Sequence, residues 1–233
     1  MAEILVLKHI SCEGPGRLAD FAAARAVSLR MVDLERNEPL PGLAGFSALV
    51  VLGGPMNVDE EEKFPWLKPE TALIRAALDQ RLPILGLCLG GQLLAKAAGG
   101  RVTKNPVKEI GNFFAELTEE GKTDPLFAGF GEEFPVFQWH GDTFSDLNGG
   151  LLLARSEACA HQAFRCGKNA YGLQFHVEVT EAMAHEWAHE YNPELIEEKL
   201  DAAEIAAGFS ANEKHYAELS AKLFANFFRI AGI

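Results

Sequence analysis

Three short runs of near-continuous hydrophobicity stand out along the chain: EILVLKHI (3–10), SALVVLGG (47–54) and LPILGLC (82–88). Apolar runs of this length, two of them with adjacent glycines at the C-terminal end, predict parallel strands buried on both faces. Between them, RLADFAAARAVSL (17–29) and WLKPETALIRAALDQ (66–80) read as helices, the second with Leu67, Ile74, Ala77 and Leu78 on one face. Strand, helix, strand, helix, strand is a doubly wound α/β pattern, in which sites lie beyond the carboxyl ends of the strands. Cys88 and the GGP at 53–55 both occupy such ends.

The pattern changes from about 110 to 176. NFFAEL, FPVFQW, LLLARS, CAHQAFRC and NAYGLQFHVEV follow one another as shorter strands with turn residues between them, which suggests antiparallel additions to the sheet. After residue 180 the chain turns helical. Glu181 to Glu204 holds eight acidic side chains against one lysine, the composition of a solvated helix face. The final stretch, EKHYAELSAKLFANFFRI, places Tyr216, Leu219, Leu223 and Phe227 on one stripe that Phe224 and Phe228 widen. Docking on the core is the favoured reading, with a subunit contact as the alternative. The expected fold is therefore α/β: a doubly wound mixed, mainly parallel sheet with helices on both faces. It is one domain over 1–233, with a helical C-terminal extension from about 181.

Composition narrows the function classes. A hydrophobic content of 48% and a charged content of 23% are ordinary for a globular chain with a sizeable core. The formal net charge of −12 runs against nucleic-acid binding, which needs a basic stripe. No apolar run approaches the roughly 18 residues of a membrane span. The opening MAEILVLKHI reads directly as a strand and lacks the features of a secretory signal. Cys12, Cys88, Cys159 and Cys166 are too few and too scattered for a disulfide framework. A reduced, cytoplasmic protein is expected, with neither nucleic acid nor membrane as a partner.

The candidate chemistry centres on GLCLG (86–90). Its G-x-C-x-G form is the cysteine version of a nucleophile elbow, in which a sharp strand-to-helix turn exposes one side chain and flanking glycines remove clashes. A thiol there sits at a helix N-terminus, where the macrodipole favours the thiolate. The motif alone is equally compatible with a buried cysteine that only fills a turn. A thiolate needs a base and oxyanion donors. GLQFHVEVT (172–180) alternates, so His176 and Glu178 point the same way from a strand. Glu178 is then placed to hold the imidazole while His176 exchanges protons with Cys88. The LGGP turn (52–55) offers a backbone N–H beside that of Leu89 for a two-donor oxyanion hole.

Taken in order, VVLGGP, GLCLGGQ, QWHGDTF and GLQFHVEVT resemble the class I (triad) glutamine amidotransferases, in particular stand-alone proteins related to the amidotransferase domain of GMP synthase. The resemblance runs from Ile4 to about Thr180 and implies a flavodoxin-like fold. It implies Cys88 as nucleophile, His176 as acid/base, Glu178 as orienting carboxylate and oxyanion donors at Gly54 and Leu89. It places Gly53, Gln92 and a loop of His140, Gly141 and Asp142 at bound glutamine. The implied reaction is hydrolysis of the glutamine side-chain amide through a γ-glutamyl thioester, with no metal or organic cofactor; the ammonia acceptor stays open between a synthase subunit and an unknown compound. Hydrolysis of γ-glutamyl peptides or amines, and a non-catalytic regulatory subunit, are the alternatives. Val177 stands where the family usually has proline; valine also favours an extended backbone, so the pair is expected to keep its geometry. The 233 residues hold no SGG-type loop of an ATP-pyrophosphatase, so a complete GMP synthase is not expected.

Three other groups carry less. Cys159, His161 and Cys166 lack the second half of a structural zinc site and read as packing. His9 and Cys12 have ligand-like spacing but no further ligand nearby. Glu109, in a predicted loop PVKEIG, is placed equally well at the cleft or on the surface.

Overall fold

A computed structural model describes residues 2–233. Five parallel strands form one half of its sheet: β1 (Glu3–Lys8), β2 (Ser28–Asp33), β3 (Ala48–Val51), β4 (Ile84–Leu87) and β9 (Ala170–Leu173). The other half is antiparallel and comprises β5 (Arg101–Leu117), β6 (Glu133–Ser145), β7 (Leu151–Arg155) and β8 (Ala163–Cys166). Among the described residues the sheet order is β2-β1-β3-β4-β9-β8-β7-β5-β6. The helices are α1 (Arg17–Ala23), α2 (Leu67–Asp79), α3 (Leu89–Ala97), α4 (Glu119–Thr123), α5 (Glu181–Glu190), α6 (Asn192–Glu197) and α7 (Ala202–Ala231).

The three apolar runs form the strands expected of them, and β3 and β4 are buried at every position. Alternate residues feed opposite faces of the sheet: Ile4 and Val6 join the cluster under α1 and α7, while Leu5 and Leu7 join the one under α2 and α3. A third cluster gathers Phe137, Trp139, Trp187, Phe209 and Tyr216 where α5 and α7 cross the antiparallel half. The aromatic stripe of α7 is core, since Tyr216, Leu223, Phe224, Phe227 and Phe228 are all buried. No described helix is long and apolar enough to cross a membrane.

Several expected elements are redrawn. The helix over 17–29 ends at Ala23, and Ser28–Asp33 is instead an edge strand paired with β1. Ala26 at φ 55° turns the chain out of the helix. An edge strand buried only at Val32 and Asp33 offers no continuous apolar run to reveal it. The PVKEIG loop lies within the 17-residue β5, whose pairing with β6 is interrupted by a register shift between Lys104 and Glu109. His140, Gly141 and Asp142 are likewise in β6 rather than in a loop. Cys159 and His161 precede β8, which begins only at Ala163.

Candidate functional site

The turn from β4 into α3 is an elbow. Cys88 caps α3 with φ 49° and ψ −109°, a conformation side chains rarely adopt. Its N–H donates to the Leu173 carbonyl of β9 at 2.8 Å, and its own carbonyl receives Gln92 N–H at 3.0 Å. The thiol therefore projects at the carboxyl edge of the sheet between two strands. It borders a cavity of about 130 Å³ with Glu13, Gly54, Gln92, Trp139, His140 and His176.

His176 and Glu178 are not in a strand, because β9 stops at Leu173 and His176 makes only an isolated bridge to Phe137. Tertiary contacts hold the segment instead. His176 N–H donates to the Phe137 carbonyl (2.9 Å), and Arg17 N–H at the start of α1 donates to the Glu178 carbonyl (2.8 Å). Ser220 of α7 donates to the Val177 carbonyl at 2.6 Å. Within this clamp Glu178 Oε1 meets His176 Nδ1 at 2.7 Å, and Oε2 accepts the Val177 N–H at 2.9 Å. Thus Val177 supplies a backbone donor that proline would lack.

Burial by itself disfavours an imidazolium at His176. The Glu178 carboxylate and the Cys88 sulfur outweigh that and hold its pKa well above the ordinary histidine value. The Cys88 thiol donates to the Trp139 carbonyl and accepts from Gln174 Nε2, both at 3.6 Å.

Gln92 is buried and donates to the Asp142 carbonyl (3.2 Å) and to Gln174 Oε1 (3.3 Å). Asp142 in turn accepts from Asn57 Nδ2 at 2.7 Å. A Cβ at Gly53 would meet the Glu13 carboxylate and lie 3.1 Å from His176 Cε1, so a side chain there would displace two residues of the cavity wall. One at Gly54 would lie 3.0 Å from both His9 Cβ and Leu89 Cδ2.

His140 faces the cavity but is fixed from behind. Glu109, its cross-strand neighbour, meets His140 Nε2 at 2.8 Å and also binds Gln162 (2.7 Å) and Ser156 (2.9 Å). Glu109 is fully buried behind His140 and is not among the residues lining the cavity beside Cys88. Cys159 joins Glu109 and His140 in the one group with metal-like spacing among the described residues, with ligand atoms within 4.8 Å of one another. Glu109 and His140 already bond each other, and Thr143 lies 3.2 Å from the Cys159 sulfur. That set is a hydrogen-bond network beneath the cavity.

Five wall residues, Met56 beyond the GGP turn among them, were not legible in the sequence. Glu13 lies in the loop after β1, and Trp187, Tyr191 and Glu194 come from the acidic helical region or beside it. Trp187 packs edge-on against the His176 ring, 4.8 Å between centroids. Tyr191 donates to Glu13 at 2.7 Å, and Glu194 accepts from Trp139 Nε1 at 3.0 Å. Burial pushes the Glu13 carboxyl above its usual pKa, although His176 and Tyr191 partly counter it. The region from 181 thus covers the cavity as well as presenting a solvated face. Aromatic residues set among the acids were the available signal.

In this doubly wound sheet the strained cysteine elbow and the buried His–Glu pair border one cavity at the carboxyl edge of the strands. The profile of the family "Glutamine amidotransferase class-I" matches residues 18–189, and the chain belongs to that family. The glutamine amidotransferase-like protein YfeJ of Salmonella typhimurium is 36% identical over 74% of each chain. A glutamine-hydrolyzing GMP synthase of Thermosipho melanesiensis is 39% identical over 58% of this chain, which spans only 24% of that enzyme. The crystal structure of a glutamine amidotransferase from Thermotoga maritima superposes with TM-score 0.90 and 35% identity, covering 100% of this chain and 99% of that one.

Proposed function

We propose that the protein hydrolyses the side-chain amide of glutamine to glutamate and ammonia, with Cys88 as nucleophile. The observation that carries this is the buried contact of His176 with Glu178 at 2.7 Å on the same cavity as the strained Cys88 thiol. The Cys88 thiolate attacks the amide carbon while the N–H groups of Gly54 and Leu89 receive the oxyanion. His176, held as imidazolium by Glu178, protonates the leaving nitrogen, and a γ-glutamyl thioester remains. His176 then takes a proton from water, which attacks the thioester and releases glutamate. Gln92, Gly53, His140, Gly141 and Asp142 bound the substrate. A synthase subunit is the expected acceptor of ammonia, as the likeness to GMP synthases suggests.

A second substrate class, γ-glutamyl peptides or amines, is favoured by one feature. The cavity shares Pro55, Met56, Gly141, Asp142 and Glu194 with an outer groove of about 890 Å³, which gives room beyond the leaving nitrogen. Incubation with glutamine and with γ-glutamyl dipeptides, reading ammonia, glutamate and released amino acid, separates the two. Consumption of neither, even with a candidate synthase added, would overturn the hydrolytic reading.

Glu178→Gln is expected to lower turnover by about 10²- to 10⁴-fold, because the amide no longer stabilises the imidazolium. It also removes the main influence raising the His176 pKa. The imidazolium is then lost at lower pH, so the alkaline limb of the pH–rate profile moves down. An unmoved limb would show that Glu178 does not govern His176.

A further inference from the structure

His9 ends the first apolar run, and its spacing to Cys12 suggested only an incomplete metal site. The structure gives it another setting. Its side chain and that of Glu70, from α2, are both fully buried, and Nε2 meets Glu70 Oε1 at 2.8 Å. The Trp66 ring packs on the imidazole, 5.3 Å between centroids. Nδ1 meets the Gly53 carbonyl oxygen at 2.7 Å. A carbonyl only accepts, so Nδ1 must carry a proton. Glu70 fixes this state from the other side: whether the second proton rests on Nε2 or on the carboxyl, the Nδ1–H donor persists.

The Gly53 carbonyl and the Gly54 N–H belong to one planar peptide unit. Every described peptide is trans, so the two groups point in opposite directions. With the oxygen tied to His9, the Gly54 N–H is aimed away from the imidazole, back toward the cavity that Gly54 lines. A Gly–Gly peptide has no side chain on either flank to hold its plane, so an external tie decides its orientation. A charged or strongly polarised donor on the carbonyl also strengthens the N–H of the same peptide as a donor.

We propose that His9, oriented by Glu70, is a positioning residue that locks the Gly53–Gly54 peptide with its N–H directed at the oxyanion formed on acylation of Cys88. This rests on the hydrolytic reading of the site. The lock acts only where a carbonyl becomes an oxyanion; it has no part in simple alkylation of the thiolate.

The test compares those two reactions at Cys88. p-Nitrophenyl acetate transfers its acetyl group to the thiolate and releases p-nitrophenolate, through a tetrahedral oxyanion. Iodoacetamide alkylates the same sulfur with loss of iodide, and no oxyanion forms. His9→Phe alone would strand a buried carboxylate, so the test protein is the double variant His9→Phe with Glu70→Leu. Its acetylation rate is expected to fall roughly 10- to 100-fold, with alkylation within about twofold of wild type. His9→Asn offers an amide N–H in place of Nδ1 and should recover most of the loss. Glu70→Gln, a near-isosteric change whose amide N–H can donate to Nε2 and so preserve the Nδ1–H donor, should leave acetylation within about threefold of wild type. Unchanged acetylation in the double variant, or an equal loss in both reactions, would overturn the proposal. Glutamine hydrolysis by wild type is read separately. If wild type acetylates but leaves glutamine intact, the glutaminase reading fails while the rate ratio still decides the role of His9.

Discussion

Cys88→Ser protein is expected to fold as wild type does and to lose glutamine turnover by at least about 10⁴-fold. Serine matches cysteine in shape and can take the same φ of 49° at the elbow. What it lacks is an ionisable nucleophile at neutral pH: His176 beside a serine hydroxyl has no thiolate to pair with. The complementary result is selective labelling. An electrophilic glutamine analogue should add its mass at Cys88 in wild type and nowhere in the variant. The other thiols are poor competitors, because burial pushes the Cys12 and Cys159 thiols up and raises Cys166 to about 11. Residual turnover near wild type, or adducts spread over the other three cysteines, would remove Cys88 from the proposed role.

The second large effect is on stability. Gly90 is the second residue of α3, where the helix start lies against the end of β3. A Cβ added there would overlap the Val51 carbonyl and sit 2.9 Å from Val51 Cβ, both parts of a fully buried strand. Because backbone cannot swing aside as a side-chain tip can, Gly90→Ala should cost about 3 kcal/mol. For a chain of this size that is a fall of roughly 10 °C in Tm. The Gly90 N–H bond to the Leu52 carbonyl, 3.1 Å, lengthens in the same displacement, and the elbow moves with it. Gly42→Ala, with nothing within 4 Å of the added carbon, is the control and should stay within about 0.5 kcal/mol of wild type. Thermal melts of the two variants decide the matter. Equal Tm values would mean that α3 can retreat from β3 at little cost.

These two positions also separate local from long-range information. The elbow is legible in the sequence because its physics is local: an apolar run fixes β4, two glycines remove clashes, and the cysteine falls where strand becomes helix. The same reasoning found β1, β3 and the aromatic stripe of α7, where period and composition agree. It failed at β2, whose apolar residues alternate on a half-exposed edge, and in β5, where a proline and charged residues read as a loop. There, residues 105–108 bulge out of the ladder while Lys104 and Glu109 on either side pair with β6, so the strand runs on through the proline.

For the candidate site, short motifs name the residues proposed to react: Cys88 on its elbow, a His-x-Glu downstream and a Gly-Gly turn at a neighbouring strand end. How they are held was decided only by tertiary structure. His176 and Glu178 face each other because Arg17, Phe137 and Ser220, from three distant segments, fix the backbone around Val177. Glu13 meets Tyr191 across 178 positions of chain, and His9 meets Glu70 across 61. A buried acid is costly unless a partner is waiting, and no local pattern announces where that partner lies. The candidate residues are written in short motifs; their orientation is a property of the packed chain.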